Sequence, residues 1–284
     1  MYLSHLACKL AELNHSFTKN AHEPSTSNGA EPSFRTLFED RCVTAIVKPN
    51  RLLVHRTDID FHEPYNLRDL VNKTRSQSHW LQPVHRLDKP TSGIVLFAES
   101  GEDFNALKLE FVHRRTKKTY WAVVRGWTED EGKVDKPLPT AHSPKPKEAT
   151  TLYRTLARVE LQNPVGPYET ARYSLVECQP QTGRFHQIRL HFRHLRHPIV
   201  GDSRYGDKKH NRFVSESTGC DVLMLHAGRL EVQHPRGNLA LCLSAAVPDC
   251  WQAILNNWPW VGSLEGVPKK DVVSMSEREA SRLT

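Results

Sequence analysis

The chain has 284 residues, of which 38% are hydrophobic and 25% charged, so it is long enough for a substantial core and is not typical of a disordered protein. Its apolar runs all fall short of the roughly 20 residues that a transmembrane helix needs, which predicts a soluble protein without a membrane partner. Lys and Arg number 39 against 32 acidic residues, an excess that favours a polyanionic partner without requiring one.

The N-terminal part of the chain does not resemble a folded domain. Residues 21–33, AHEPSTSNGAEPS, are rich in Ser, Pro, Asn and Gly, as linkers are. We therefore predict a disordered extension over residues 1–35 and a folded domain over residues 36–262. The six cysteines are dispersed without a C-x-x-C pair, which indicates reduced thiols in a cytoplasm.

Most of the folded domain is predicted to be β-strand. Its strand segments are rich in β-branched and aromatic residues, and Gly, Pro or Asn lies at several of their ends. They are VTAIV (43–47), GIVLFA (93–98), KTYWAVVRGW (118–127), TLYRTLARVEL (151–161) and ARYSLVECQP (171–180). Residues 229–244 alternate apolar and polar side chains on both sides of a Pro-Arg-Gly-Asn turn, the pattern of a hairpin.

Helices are fewer, and three apolar stripes predict them. The stripes are Phe104, Leu107 and Phe111; Ile188, Phe192 and Leu195; and Trp251, Ile254, Leu255 and Trp258. Hairpins with a few interspersed helices predict an α+β fold with a mixed, mainly antiparallel sheet. Residues 263–284 follow the last aromatic cluster and are predicted to form a loosely attached tail.

One chemical signal is the aspartate in VHRLDKPTSG, residues 84–93. Asp88 could cap a turn, because Pro90 follows it closely, or it could act as a nucleophile or general base. In an extended segment Arg86 points to the same side as Asp88 and could reach the same substrate. The residues alone leave both interpretations open.

Aromatic and basic residues alternate in HRRTKKTYWAVVRGW, residues 113–127. Tyr120 could stack on a base while Lys117, Lys118 and Arg125 contact phosphates, a combination that suits unpaired RNA. The alternative is that Tyr120 and its neighbour merely occupy the two faces of a strand.

A second basic segment lies at residues 182–206. If residues 185–197 form a helix, Arg189, Arg193 and Arg196 share a face that is distinct from the apolar stripe. The absence of any acid between Thr182 and Val200 rules out ion pairing within the helix and favours anion binding.

Histidines in the same segment raise the question of a metal. They are His186, His191, His194 and His197. Zinc is disfavoured because the H-E-x-x-H arrangement is missing, so packing or RNA contacts are the better interpretation. The chain also lacks a G-x-G-x-x-G or phosphate-binding loop, and we predict a protein without metal or cofactor.

Taken together, the motifs resemble the RluA-type pseudouridine synthases. The matching pieces are IVKPNRLLVHR (46–56), HRLDKPTSGIVLFA (85–98), KKTYWAVVRG (117–126), TGRFHQIRLH (182–191), HPIVGDSRYG (197–206) and MLHAGRLEVQHP (224–235). The forms PYETARYSLVE and RHLRHPIVGDSRYGD are most similar to the TruC branch, whose members modify uridine 65 of tRNA. One departure is Arg51, where the family usually has glycine, and we expect Asn50 to supply the turn.

The resemblance implies a catalytic domain over residues 36–262 with a central RNA-binding cleft. Asp88 would be the catalytic carboxylate, Arg86 would help displace the target base, Tyr120 would stack on the flipped base, and Arg189 would pair with Asp88. The further residues expected to bind RNA are His85, Lys48, Lys117, Lys118, Arg184, His186 and Arg193.

The implied activity is isomerisation of one uridine to pseudouridine in tRNA, by a monomer that needs no cofactor. An rRNA uridine is the alternative substrate, because the catalytic motifs are shared within the family. A catalytically silent RNA-binding or chaperone protein and a zinc hydrolase are alternatives from other classes. The presence of Asp88, Tyr120 and Arg189 together argues against the silent protein.

Overall fold

The computed structural model describes residues 31–56, 60, 62–75, 80–140 and 143–277. The strands are β1 (Arg35–Glu39), β2 (Val43–Lys48), β3 (Gln82–Pro83), β4 (Ser92–Ala98), β5 (Lys117–Arg125), β6 (Glu131–Asp135), β7 (Leu138–Thr140), β8 (Ser143–Lys147), β9 (Thr150–Leu161), β10 (Ala171–Pro180), β11 (Leu225–Gln233), β12 (Leu239–Ser244), β13 (Val261–Gly262) and β14 (Val272–Glu277). The helices are α1 (Leu67–Lys73), α2 (Gly101–Val112), α3 (Gln187–His194), α4 (Lys208–Thr218) and α5 (Asp249–Asn257). Within the described ranges, no helix is long and apolar enough to cross a membrane.

A mixed sheet is the framework of the fold. Its main order is β1-β2-β4-β11-β5-β10-β9-β13, with β3 beside β4, β6 beside β9, and β12 between β11 and β14. β11 pairs parallel with β4, whereas its other neighbours run antiparallel. The predicted α+β fold with a mainly antiparallel sheet is confirmed.

Strand β4 shows why the predicted strands form. All seven of its residues are buried. Ile94 and Leu96 pack in a cluster with β2, β11 and β12, while Val95 and Phe97 pack on the opposite side with α1. Because side chains alternate across a strand, a continuous apolar run indicates a strand covered on both faces.

The predicted strands, the hairpin and three helices are confirmed. β10 has the predicted bounds, and β11 and β12 pair in antiparallel register on either side of the expected turn. Helices α1 and α4 were not predicted. α4 is held by Asp207, which caps its N-terminus, and by Gly219 at its C-terminus, but its buried residues are only His210 and Val214. So narrow a buried stripe gives a weak periodic signal.

The C-terminal segment differs from its prediction. Strand β14 lies within residues 263–284, the expected loose tail, and its six residues pair antiparallel with β12. Val267 is also buried in the core. This part of the segment therefore belongs to the fold, because alternate apolar residues of β14, such as Val273 and Met275, pack against the hydrophobic core. The predicted extension lies outside the described residues up to residue 30.

The turn after β2 also differs from expectation. Arg51, and not Asn50, adopts the left-handed conformation, with φ of 64°. Asn50 instead fastens the loop, since its side-chain amide donates to the main-chain oxygen of Pro90 at 2.6 Å. The Arg51 guanidinium contacts Asp221 at 2.8 Å, which helps to hold this conformation in a residue other than glycine.

Candidate active site

A cleft of about 290 Å³ opens where the segment before β4 meets β5 and the start of α3. The segment before β4 contributes Arg86 and Asp88, and β5 contributes Lys118 and Tyr120. Residues 182–189 form the opposite wall. The cleft thus unites three of the motifs that are separated in sequence.

Asp88 lies in this cleft with 19% of its side chain exposed. Its main-chain oxygen accepts a hydrogen bond from Thr91 at 3.0 Å, which closes the Lys-Pro turn. Its carboxylate accepts instead from the Nη1 group of Arg189 at 3.2 Å, and Nε2 of His186 lies 3.8 Å from the same oxygen. The turn is therefore made by the main chain, and the carboxylate faces the cleft.

Arg189 is held by a second carboxylate. Its Nε and Nη2 groups donate to the two oxygens of Asp202 at 2.7 and 2.9 Å, and both side chains are almost fully buried. Burial raises the pKa of Asp202, but the guanidinium and the amides of Tyr205 and Arg204 outweigh it and hold this pKa below its ordinary value. Arg189 is thus a fixed cation whose remaining donor points at Asp88.

The predicted basic stripe on α3 is wrong. The helix covers Gln187–His194, shorter than the expected 185–197, because His186 and Arg196 have φ of 54° and 63°. Arg189 is buried and binds Asp202, whereas Arg193 is exposed. Both guanidinium groups lie over the ring of Tyr205, at 5.0 and 5.7 Å, so the two residues share a helix face but differ in burial.

Tyr120 and Lys118 share the cleft-facing side of β5. Burial, together with the negative charge of Asp88, raises the pKa of Tyr120 well above its ordinary value, so the phenol is neutral. Burial also lowers the pKa of Lys118. Lys117 points to the other face, where it lies 3.4 Å from Glu231, so the structure does not bring it to the cleft.

The other wall contains His186 and Arg184. The imidazole Nδ1 atom of His186 lies 2.9 Å from the hydroxyl of Tyr205, and one ring face stacks on Phe185. Burial lowers the pKa of His186 to about 4, and Asp88 only partly opposes this, so the imidazole is neutral near pH 7. Arg184 donates to the main-chain oxygen of Glu148 at 3.0 Å and lines the cleft.

Two residues expected to bind RNA do not line the cleft. The imidazole of His85 accepts from the amide of Leu96 at 3.1 Å and stacks on Phe111, and burial lowers its pKa to about 3. Lys48 is fully buried, and its Nζ atom donates to three main-chain oxygens at 2.8 to 3.1 Å. Both residues hold the loops around the cleft, because their polar atoms are already used by the main chain.

Lys48 offers a stability test. Burial lowers its pKa to about 7, and Asp88 acts in the opposite direction. We expect Lys48→Met to lower the free energy of unfolding by about 2–4 kcal/mol, because it leaves buried carbonyl oxygens without a donor. Urea unfolding measures the change, and Lys133→Met, at a side chain that is 58% exposed, serves as the control. An equally stable Lys48→Met protein would contradict this role.

Sequence reasoning missed three residues of the site, namely Asp202, Tyr205 and Phe185. Asp202 was not singled out as a site residue, although it is the first acid after the basic segment. Tyr205 lies 5.0 Å from the guanidinium of Arg189 and contacts His186 through its hydroxyl. Asp202 and Tyr205 lie in HPIVGDSRYG and Phe185 lies in TGRFHQIRLH, so the signal was their membership of two motifs that carry the family resemblance.

The histidines of residues 186–197 do not converge on one point. His191 contacts Thr151, His194 contacts Lys136, and Nδ1 of His197 contacts a main-chain oxygen of β5. Among the described residues, the group with metal-ligand geometry is Asp40, Cys42 and His234, whose ligand atoms lie within 4.8 Å of one another. This group does not line the cleft, so no step of the site's chemistry involves it.

The Asp40–His234 pair predicts a pH dependence of stability. The hydrogen bond from His234 to Asp40, 2.8 Å long, raises the pKa of His234 above 6.5, despite burial. A raised folded-state pKa adds stability that is complete below 6.5 and is lost as the pH rises through the folded-state value.

We therefore expect His234→Gln to destabilise the protein most at about pH 5 to 6 and least near pH 9. Urea unfolding of both proteins over this range measures the difference. A difference that is constant with pH would show that the pair is not charged in the folded state.

The site is suited to a reaction in which a protein carboxylate acts on a polyanionic substrate. A guanidinium donates a hydrogen bond to the carboxylate of Asp88, a neutral phenol lies beside it, and the cleft rim carries Arg86, Lys118 and Arg184. Such basic rims attract phosphates, while the aromatic rings offer faces for bases. The geometry therefore fits an enzyme that acts on a nucleotide extruded from RNA.

Comparisons with known proteins agree with this geometry. Residues 43–194 match the family model for RNA pseudouridylate synthase. The tRNA pseudouridine synthase C of Salmonella typhi is 38% identical over 87% of this chain and 98% of its own length. The Pasteurella multocida protein of the same name is 42% identical over 79% of this chain and 96% of its own length.

A solved structure shares the fold. Human RNA Pseudouridylate Synthase Domain Containing 1 aligns with a TM-score of 0.64 at 21% identity, over 85% of this chain and 94% of that one. The family model covers more than half of the chain, from the second strand through α3, and thus includes Asp88, Tyr120 and Arg189. The chain therefore belongs to the RNA pseudouridylate synthase family.

Proposed function

We propose that this pseudouridine synthase acts on tRNA, that uridine 65 is its target, and that Asp88 is its catalytic carboxylate. The observation that carries the catalytic part is the Arg189–Asp88 ion pair within a basic cleft. The tRNA part is supported by relatives at 38% and 42% identity that bear the name tRNA pseudouridine synthase C and are covered almost throughout their length.

The target uridine must leave its stack before the reaction, because Asp88 lies inside a cleft and not on an open surface. Extrusion costs a few kcal/mol, which contacts with the extruded nucleotide must offset. Arg86 is exposed and lines the cleft, which supports a role for its side chain in filling the space that the base leaves. Tyr120 offers its neutral ring to the base, and Lys118 and Arg184 are close enough to the cleft to contact phosphates.

The chemistry exchanges one glycosidic bond for another within the same nucleotide. The bond from the ribose to nitrogen breaks, the uracil turns in the cleft, and a bond from the ribose to carbon forms. Asp88 either adds to the base or ribose or removes a proton during cleavage, and Arg189 stabilises its negative charge. The carbon that joins the ribose loses its proton and the released nitrogen gains one, so there is no net change in atoms or oxidation state and the reaction requires no cofactor.

The proposal also covers the oligomeric state, the domain bounds and the cellular compartment of the enzyme. We infer a monomer that acts in the cytoplasm, with the catalytic domain predicted over residues 36–262 extended to include strand β14. An rRNA uridine is the second candidate substrate, because the residues of the cleft are those of the shared reaction and contacts outside it select the RNA. The matched relatives named for tRNA favour the first candidate.

The test uses purified protein with separate unmodified tRNA and rRNA transcripts, followed by carbodiimide modification and primer extension to map pseudouridine. A tRNA transcript with cytidine in place of the target uridine is the control. Product at tRNA position 65 that is lost with cytidine would support the proposal. Product only on rRNA would overturn the substrate, and no product on either would overturn the activity.

A further inference from the structure

An aromatic ring on the wall of the cleft has no role in the proposed chemistry. Phe185 lines the cleft and is 58% exposed, although large apolar side chains are usually buried. It lies just before the start of α3, next to His186, which takes the N-cap position with a left-handed backbone. The rings of these two neighbours stack on each other, so the exposed ring of Phe185 has a defined contact.

The ring is held in place from one side. Its centroid lies 3.6 Å from that of the His186 imidazole, with 21° between the planes. His186 is itself fixed by the hydroxyl of Tyr205 at 2.9 Å. One face of Phe185 thus rests on a fixed ring, and its exposed area is available to the cleft. A ring fixed in this way loses little entropy when a ligand stacks on it.

The charges around the ring suit a nucleotide. Arg184 precedes it in sequence, and Lys118 lines the same cleft. An exposed ring with cations beside it is the arrangement with which proteins bind unpaired bases, since the ring stacks on the base and the cations contact the phosphates.

We propose that Phe185 is a stacking subsite for the base next to the target uridine in the RNA. This inference rests on the proposed function. The target itself is assigned to Tyr120, which lies deeper, beside Asp88. Phe185 is separated from Asp88 by His186, whose Nε2 atom is 3.8 Å from the carboxylate. A base that stacks on Phe185 therefore belongs to the nucleotide next to the reacting one.

The first experiment compares Phe185→Ala and Phe185→Trp with the wild type on a tRNA transcript. We expect Phe185→Ala to raise KM about 10- to 100-fold with kcat within a few-fold, because the loss of one base stack weakens binding by about this factor. Phe185→Trp should keep KM near the wild-type value. Trp80→Ala is the matched control, because Trp80 is also 58% exposed but does not line the cleft.

A second experiment identifies the base. Synthetic RNA hairpins around the mapped uridine, each lacking one base next to it, are bound to wild-type protein and to Phe185→Ala. If Phe185 stacks on that base, a hairpin without the base binds the wild type more weakly. The same hairpin then binds Phe185→Ala no more weakly than the complete hairpin does. Independent, additive losses at every neighbouring position would overturn the subsite.

The two proposals fail differently. An active wild type with unchanged KM for Phe185→Ala would overturn the stacking subsite and leave the proposed function intact. Loss of kcat alone in Phe185→Ala would also overturn it, because the ring would then act on the reaction and not on binding. A wild type without activity on either RNA would overturn the proposed function itself.

Discussion

Asp88→Asn should reduce isomerisation to less than about a thousandth of the wild-type rate, while RNA affinity stays within a few-fold. Removal of a nucleophile or general base has an effect of this size when no other group replaces it. The side chain keeps its shape, and the basic rim of Arg86, Lys118 and Arg184 is unchanged, so phosphate contacts survive. Pseudouridine mapping measures the rate, and filter binding measures the affinity.

Folding should be retained in Asp88→Asn, because Arg189 keeps its bidentate partner Asp202. The control is Asp221→Asn, at a carboxylate that is 58% exposed and pairs with Arg51 away from the cleft. It should be as active as the wild type. A parallel loss of binding and activity in Asp88→Asn would show that the carboxylate organises the cleft and is not the reactive group.

Arg189→Ala should lower the free energy of unfolding by about 3–5 kcal/mol and abolish activity. The substitution leaves Asp202, whose side chain is 1% exposed, without its cation and removes the partner of Asp88. Urea unfolding measures the stability. Arg193→Ala is the matched control, since Arg193 is on the same helix but exposed, and it should change stability by no more than about 0.5 kcal/mol.

Arg189→Lys separates folding from catalysis. Lysine keeps the positive charge but cannot form the two-oxygen contact to Asp202 and also reach Asp88. We expect a protein more stable than Arg189→Ala that still loses most activity, measured with the same tRNA assay. Normal activity in either variant would show that another group stabilises the charge of Asp88.

Local patterns predicted most of the sheet but not every helix. The strands β4 and β10 have strong apolar and β-branched signals, and the hairpin of β11 and β12 has an explicit turn. Helix α4 escaped prediction because its stability depends on its caps and on few buried residues. Strand β14 was not predicted, because it is stabilised by pairing with β12, and this pairing cannot be inferred from its local sequence pattern.

The site shows a similar division. The resemblance of the motifs implied that Arg189 pairs with Asp88, and the structure places them 3.2 Å apart although 101 positions separate them in sequence. Asp202, by contrast, was not identified from the sequence, and the helical pattern predicted Arg189 only as one member of a basic stripe. The helical period predicts the side of the helix on which a side chain lies. Whether a charged side chain is buried there depends on a partner from another segment.

The sequence by itself determined the fold class, the strands β2, β4, β5, β9 and β10, the hairpin of β11 and β12, and the motifs that line the cleft, because each is a pattern of residues close together in the chain. Only the tertiary structure decided which cations face the cleft. Lys48 and His85 bind the main chain and Lys117 faces away, whereas Lys118 and Arg184 line the cleft. The physical reason is that a buried polar group must find its partner in space, and those partners come from distant segments.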